Sequence, residues 1–102
     1  TQSISKMKID WTLKSRNDYW QNIEYLEKNW SEKIVMNFIE EVNYSLQLLE
    51  KDNIIFSKSD YPDVYKMLII KQIILYYYFE NETIYLLRFW NNYQDLSNFK
   101  LK

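Results

Sequence analysis

The sequence predicts an α+β fold in the order β-α-α-β-β-β, with two antiparallel helices packed on a four-stranded antiparallel sheet. Three observations carry this. Val35, Phe38, Ile39, Val42, Leu46 and Leu49 fall at i, i+3, i+4, i+7, i+11 and i+14, the stripe of a helix with one buried face. Three apolar, β-branched and aromatic runs follow end to end, Val64 to Ile70, Ile73 to Phe79 and Thr83 to Trp90, with breaks too short for anything but tight turns. Ahead of the helices, Met7-Lys8-Ile9-Asp10-Trp11 alternates apolar and polar residues, as a strand with one buried face does.

Residues 1–6 are polar and patternless and read as an N-terminal tail; residues 7–102 read as a single domain. After the opening strand, Thr12 offers a capping hydroxyl to a helix over 13–29. Tyr19, Ile23, Leu26 and Trp30 form its expected apolar stripe, widened by Trp20, and Glu24 and Lys28 make a favourable i,i+4 pair. Ser31 is placed to cap the second helix, over 32–51, with Glu32 suited to its positive end. Residues 52–63 are a polar connection around Ile54, Ile55 and Phe56, expected to tuck under the sheet edge, and they hold the single proline, Pro62. The chain has no glycine, so turns that need positive φ fall to Asn or Asp, and Asn81 between the last two strands is the candidate.

Composition narrows the chemistry. Of 102 residues, 47% are hydrophobic and 19% aromatic, ample for one core. The formal net charge of −1 gives no global attraction to nucleic acid, so any such binding needs a local basic patch. There is no Cys and no His, which removes thiolate and imidazole chemistry and leaves Lys, Arg, Tyr, Asp and Glu. No metal and no cofactor is expected. No apolar run approaches the roughly 18 residues of a membrane span, no membrane association is expected, and a cytoplasmic location is the expectation.

The order of elements, and several short segments, resemble the RelE/ParE superfamily of bacterial toxins. Lys8-Ile9-Asp10-Trp11 is similar to the family's opening strand and Ile23-Glu24-Tyr25-Leu26 to the middle of its first helix. Lys33 to Glu41, KIVMNFIEE, resembles the start of the second helix. Val64-Tyr65-Lys66 is similar to the basic position where the sheet resumes, and Leu75-Tyr76-Tyr77 to the central strand. Ile84 to Asp95, IYLLRFWNNYQD, resembles the last strand and its tail. The resemblance runs from Met7 to about Phe99. It implies the toxin half of a type II toxin–antitoxin pair, neutralised by a cognate antitoxin protein. A ParE-like member would act by binding, with DNA gyrase as the target that branch implies. A RelE-like member would instead be a ribosome-dependent messenger endoribonuclease.

Within the resemblance, Lys66 matches one cationic position of the ribonucleases, while Leu68, Ile74 and Tyr93 stand where those enzymes carry cations, and Leu96 stands at a frequent proline. That favours binding over cleavage, because nothing else would stabilise charge on the phosphate. The ribonuclease alternative would use Lys66, Arg88 and Tyr93, and a third alternative is a non-toxic interaction domain of the same fold. If Lys66 and Arg88 share a face they could hold a phosphate or an acidic antitoxin side chain; otherwise they and Lys71 are solvated charges. Tyr93 is either an acid or stacking group or a tail aromatic packed on the sheet. Tyr76, Tyr78, Trp90 and Tyr93 are the candidate partner-binding aromatics, with cross-strand packing as the competing account.

Overall fold

The computed structural model describes residues 7–51 and 57–93. The expected tail at 1–6, the placement of Ile54, Ile55 and Phe56, and the end of the resemblance from Gln94 onward lie outside the described residues. The elements are β1 (Lys8–Trp11), α1 (Leu13–Asn29), α2 (Glu32–Glu50), β2 (Ser57–Lys58), β3 (Tyr65–Ile70), β4 (Ile73–Glu80) and β5 (Thr83–Asn91). Both helices begin where the capping residues put them. The Thr12 hydroxyl accepts from the Ser15 N–H at 3.2 Å, and the Ser31 hydroxyl accepts from the Ile34 N–H at 3.2 Å.

The sheet has five strands, in the order β1-β5-β4-β3-β2, rather than the expected four. The added strand is Ser57–Lys58, paired antiparallel with Lys66 and Tyr65. Two exposed polar residues carry no alternation, so nothing in the sequence marked them. The sheet is also not wholly antiparallel. β1 lies parallel to β5, with Lys8 opposite Thr83 and Trp11 opposite Leu86. The two neighbours are far apart in the chain, with both helices and β2, β3 and β4 between them, and the helical hairpin carries the chain from β1 to β2 at the opposite edge.

β4 and β5 join through Asn81 and Glu82 alone, both at positive φ (53° and 63°). Two such residues make the turn whose twist matches the flanking strands. Asn81 was expected there; Glu82 takes the second left-handed position without a glycine.

The core forms between the helices and one sheet face. Phe38, Val42 and Leu49 of α2 and Leu26 of α1 meet Ile73, Leu75 and Tyr77 of β4 and Ile84, Leu86 and Phe89 of β5, all essentially inaccessible. Ile39 and Leu46 flank this core half-buried, as the edges of a stripe do. Aromatic contacts tie the layers together: Tyr19 lies 5.4 Å from Phe38 and 5.9 Å from Phe89, and Trp11 lies 5.3 Å from Phe89.

α1 departs from its expected apolar stripe. Its buried line is Ser15, Asp18, Asn22 and Leu26, three of them polar. Tyr19 and Ile23 are only half-buried, and Trp20 and Trp30 are exposed at 62% and 39%. The helix is rotated by about one position because it must satisfy a strand edge. β1 stops opposite Leu86, and beyond it the Phe89 N–H donates to Asp18 Oδ2 at 3.1 Å while Asn22 Nδ2 donates to the Phe89 carbonyl at 2.9 Å. The i,i+4 pair Asp18 and Asn22 thus supplies the donor and acceptor that a neighbouring strand would otherwise provide. Asp18 also takes a bidentate pair from Arg88, Nε to Oδ2 at 2.6 Å and Nη2 to Oδ1 at 3.0 Å, with both side chains largely out of solvent.

Asp18→Ala should therefore lower stability by about 3–5 kcal/mol, since it strands both a shielded guanidinium and a buried amide N–H. The double change Asp18→Leu with Arg88→Met should recover part of that loss. Urea denaturation midpoints of the three variants check it; a single-variant loss below 1 kcal/mol would show the seal to be dispensable. A second expectation concerns alkali. Burial, and behind it the nearby Tyr65 phenol, push Tyr77 up to about 12 from the ordinary 10. Burial raises Tyr19, Tyr76 and Tyr78 in the same direction. A raised folded value favours the protonated state, so this contribution is full below pH 10 and is lost as pH rises through 12. Tyr77→Phe should remove part of the loss of stability between those values, read from urea midpoints against pH.

Candidate functional site

The face of the sheet away from the helices is where the expected site residues collect. Along β4, Ile73, Leu75 and Tyr77 point into the core, so Ile74, Tyr76 and Tyr78 point to the opposite face. Tyr65 and Met67 of β3 pack against the core, which turns Lys66 and Leu68 outward. The pairing then sets Lys66, Tyr76 and Arg88 in one register row across β3, β4 and β5. Lys66 and Arg88 do share a face, roughly 10 Å apart at the backbone, two strand spacings. A register shift between Tyr76 and Tyr77 makes Leu87 the extra residue of β5 and brings Arg88 opposite Tyr76.

The two cations of that row differ. Lys66 is exposed. Arg88 curls round the β5 edge into its pair with Asp18, and its guanidinium carbon lies 5.5 Å from the centre of the Trp90 ring. The next row is Leu68, Ile74 and Trp90. It carries no charge, Leu68 is 63% exposed, and Trp90 is buried. On the other side of the cationic row, Tyr78 and Tyr85 stack with centroids 4.9 Å apart and planes 17° from parallel. Tyr76 and Tyr78 are thus surface aromatics of the open face, and cross-strand stacking accounts for part of their placement.

Residues 59–64 border this face. Pro62, Asp63 and Val64 enclose with Tyr78 and Leu87 a cleft of about 450 Å³. Burial raises the Tyr76 phenol, helped by Tyr61 and Asp60. Burial likewise raises Tyr78, with Glu80, Tyr85 and Asp10 acting in the same direction. Both phenols stay protonated at neutral pH, so they can donate a hydrogen bond but cannot serve as bases.

Tyr93 is not brought to the row. It lies past the end of β5, where its N–H donates to Asn91 Oδ1 at 2.8 Å and its ring sits 5.7 Å from that of Trp30, which follows α1. Lys71 lies at the β3–β4 turn with its Nζ 5.4 Å from the centre of the same Trp30 ring. The structure thus unites Lys66 and Arg88 and separates both from Tyr93. Asp18 was missed from the sequence, although it decides what Arg88 can do. Its one signal was a polar i,i+4 pair, Asp18 and Asn22, immediately preceding Tyr19 and Ile23 along the helix. Among the described residues, no cluster of three acidic side chains could hold a metal ion, and no helix is long and apolar enough to cross a membrane.

No family model matches the sequence, and no curated protein matches it closely enough to count as a relative. Its backbone, however, is similar to solved structures. A chain of the chromosomal ParDE toxin–antitoxin system from P. aeruginosa superposes with a TM-score of 0.71 at 13% identity, covering 85% of this chain and 97% of that one. A YoeB/ParE toxin from Agrobacterium tumefaciens gives 0.57 at 16% identity, covering 85% of this chain and 100% of that one. A chain of the heterotetrameric YoeB–YefM toxin–antitoxin complex from Staphylococcus aureus gives 0.58 at 16% identity, covering 86% and 99%. Such identities establish fold and not activity. The likeness spans nearly the whole length of each neighbour, and the chain has the fold of the RelE/ParE toxins.

Proposed function

We propose that this chain is the toxin half of a type II toxin–antitoxin pair and that it acts by binding its target, not by cutting RNA. The observation that carries the second half is the fate of Arg88. Cleavage of a phosphodiester by such a sheet needs a base for the 2′-hydroxyl, cations on the phosphate and an acid for the leaving oxygen. The cationic row of the open face offers Lys66, a protonated Tyr76, and an arginine whose charge is already matched by Asp18, and the face's exposed Lys8 stands away from that row on β1, with Asp10 on the same strand face. Leu68 and Ile74 in the adjoining row can donate nothing. Each missing electrostatic contact lowers rate by about 10²–10³-fold, so the loss of two would leave cleavage close to background.

The first half rests on the fold, shared with chains of a ParDE system and a YoeB–YefM complex. An antitoxin protein is accordingly the expected partner. The ParE-like reading names DNA gyrase as target. The open face, with exposed Leu68 beside Tyr76, Tyr78 and Tyr85, suits a protein partner better than a phosphate backbone. Soluble proteins keep such apolar surface chiefly for partners, and the chain's net negative charge adds no attraction for RNA.

Induction of the chain alone should slow growth, and co-expression with the product of the adjacent reading frame should restore it and yield a co-purifying complex. Primer extension on translated messages after induction should show no new cuts. Cuts at the ribosomal A site that vanish in Lys66→Ala would reverse the mechanism and install the ribonuclease. Normal growth together with no complex would leave a fold without a toxin.

A further inference from the structure

The cleft of about 450 Å³ on the open face falls within the size range of ligand pockets. Pro62, Val64 and Leu87 give it apolar walls, Tyr78 adds an aromatic ring and Asp63 a carboxylate. Tyr78 stands between two neighbours. Tyr85 stacks on it from β5, with centroids 4.9 Å apart and planes 17° from parallel. Val64 adjoins it on the β3 side, because the next residue, Tyr65, is the partner of Tyr77. Asp10 continues the same row on β1, opposite Tyr85. Ile9 and Trp11 pack against the core, so Asp10 points to the open face. Glu80, two residues beyond Tyr78 on β4, shares that face. After burial, it is Glu80, Tyr85 and Asp10 that raise the Tyr78 phenol, so both carboxylates are within electrostatic reach of it.

The cations of the face flank this row without entering it. Lys8 stands one row away, opposite Thr83, and Lys66 lies in the row of Tyr76. Asp10, Asp63 and Glu80 take part in no ion pair among the described residues. The lining as a whole selects the occupant. A phosphate or an acidic side chain would be set against Asp63 at the wall and Asp10 and Glu80 beyond it. A divalent ion would need converging acidic ligands, and no such cluster occurs among the described residues. An arginine side chain meets every group at once. Its methylene stem lies along Pro62, Val64 and Leu87, its flat guanidinium lies against the Tyr78 ring, and its N–H groups donate to Asp63. We infer that this cleft is the docking site for an arginine side chain of a partner protein, gripped by Tyr78 and Asp63 in the field of Asp10 and Glu80. That the partner is the antitoxin rests on the proposed function; the recognition of arginine does not.

The test titrates N-acetyl-arginine methylamide into the ¹⁵N-labelled full chain at low salt, with the backbone amide signals of Asp63, Val64 and Tyr78 followed by NMR. These should shift saturably, with a midpoint on the order of millimolar, as expected for so small a ligand. The citrulline analogue, which has the same shape and no charge, should bind about tenfold more weakly. Asp63→Asn retains a residue suited to the left-handed backbone at that position (φ 60°) and should weaken binding by about two- to fivefold, the range of an exposed ion pair. Asp10→Asn should weaken it in the same direction. Glu32→Gln, on the first turn of α2, should leave it unchanged. Equal binding of the citrulline analogue, an affinity that Asp63→Asn does not alter, or a loss in Glu32→Gln as large as in Asp63→Asn would overturn the arginine site. A stronger response of the same amides to uridine monophosphate would also overturn it and return the face to nucleic acid. Because no antitoxin enters this titration, its failure leaves the toxin reading standing, and failure of the growth and co-purification experiments leaves the titration readable.

Discussion

Past Leu86, β5 loses its parallel neighbour while its other edge stays paired to β4, and the backbone at Phe89 would be left with an open donor and acceptor at the margin of the core. A buried strand edge with unmet groups is untenable. Asp18 and Asn22 close it, one turn apart on α1, and this short seal orders much else. It sets the rotation of α1 about its axis, so that polar residues face inward and Trp20 and Trp30 face out. It holds Phe89 where Trp11, Tyr19 and Phe38 converge. It also places a carboxylate where Arg88 can reach it.

That last consequence links folding to function. The register across the sheet puts Lys66, Tyr76 and Arg88 in line on the open face, the row in which a phosphate would need its cations. The same carboxylate that completes the β5 edge takes up the arginine bidentately, which is the strongest geometry the pair can adopt. A phosphate would have to compete with a preformed, largely shielded partner. Around the row the face presents aromatic and aliphatic surface with exposed Lys66, while Lys8 stands on β1 with Asp10 on the same face, and such a mixed surface recognises shape and apolar area more readily than a phosphate charge.

The sheet's edges are handled in different ways. Opposite β1, the last strand is the two-residue Ser57–Lys58, a short and polar border that offers little template for another chain. At the β3–β4 end, the turn is fastened to Asn92, whose N–H and side-chain amide donate to the Gln72 and Lys71 carbonyls.

Much of this was legible in the residues. The helical stripe from Val35 to Leu49, the caps Thr12 and Ser31, the three apolar runs and the Asn81 turn are local or periodic signals, and each element stands where those signals put it. The shared face of Lys66 and Arg88 followed from strand alternation once register was known. Tertiary structure alone decided the parallel seat of β1, the fifth strand, the inward turn of Asp18 and Asn22 and the separation of Tyr93 from the cationic row. The reason is physical. Periodicity reports which side of an element avoids water, and a polar residue reads as outward by default. Asp18 and Asn22 are buried because a strand seventy residues away ends beside them with its backbone unpaired, and no spacing within the helix encodes that need.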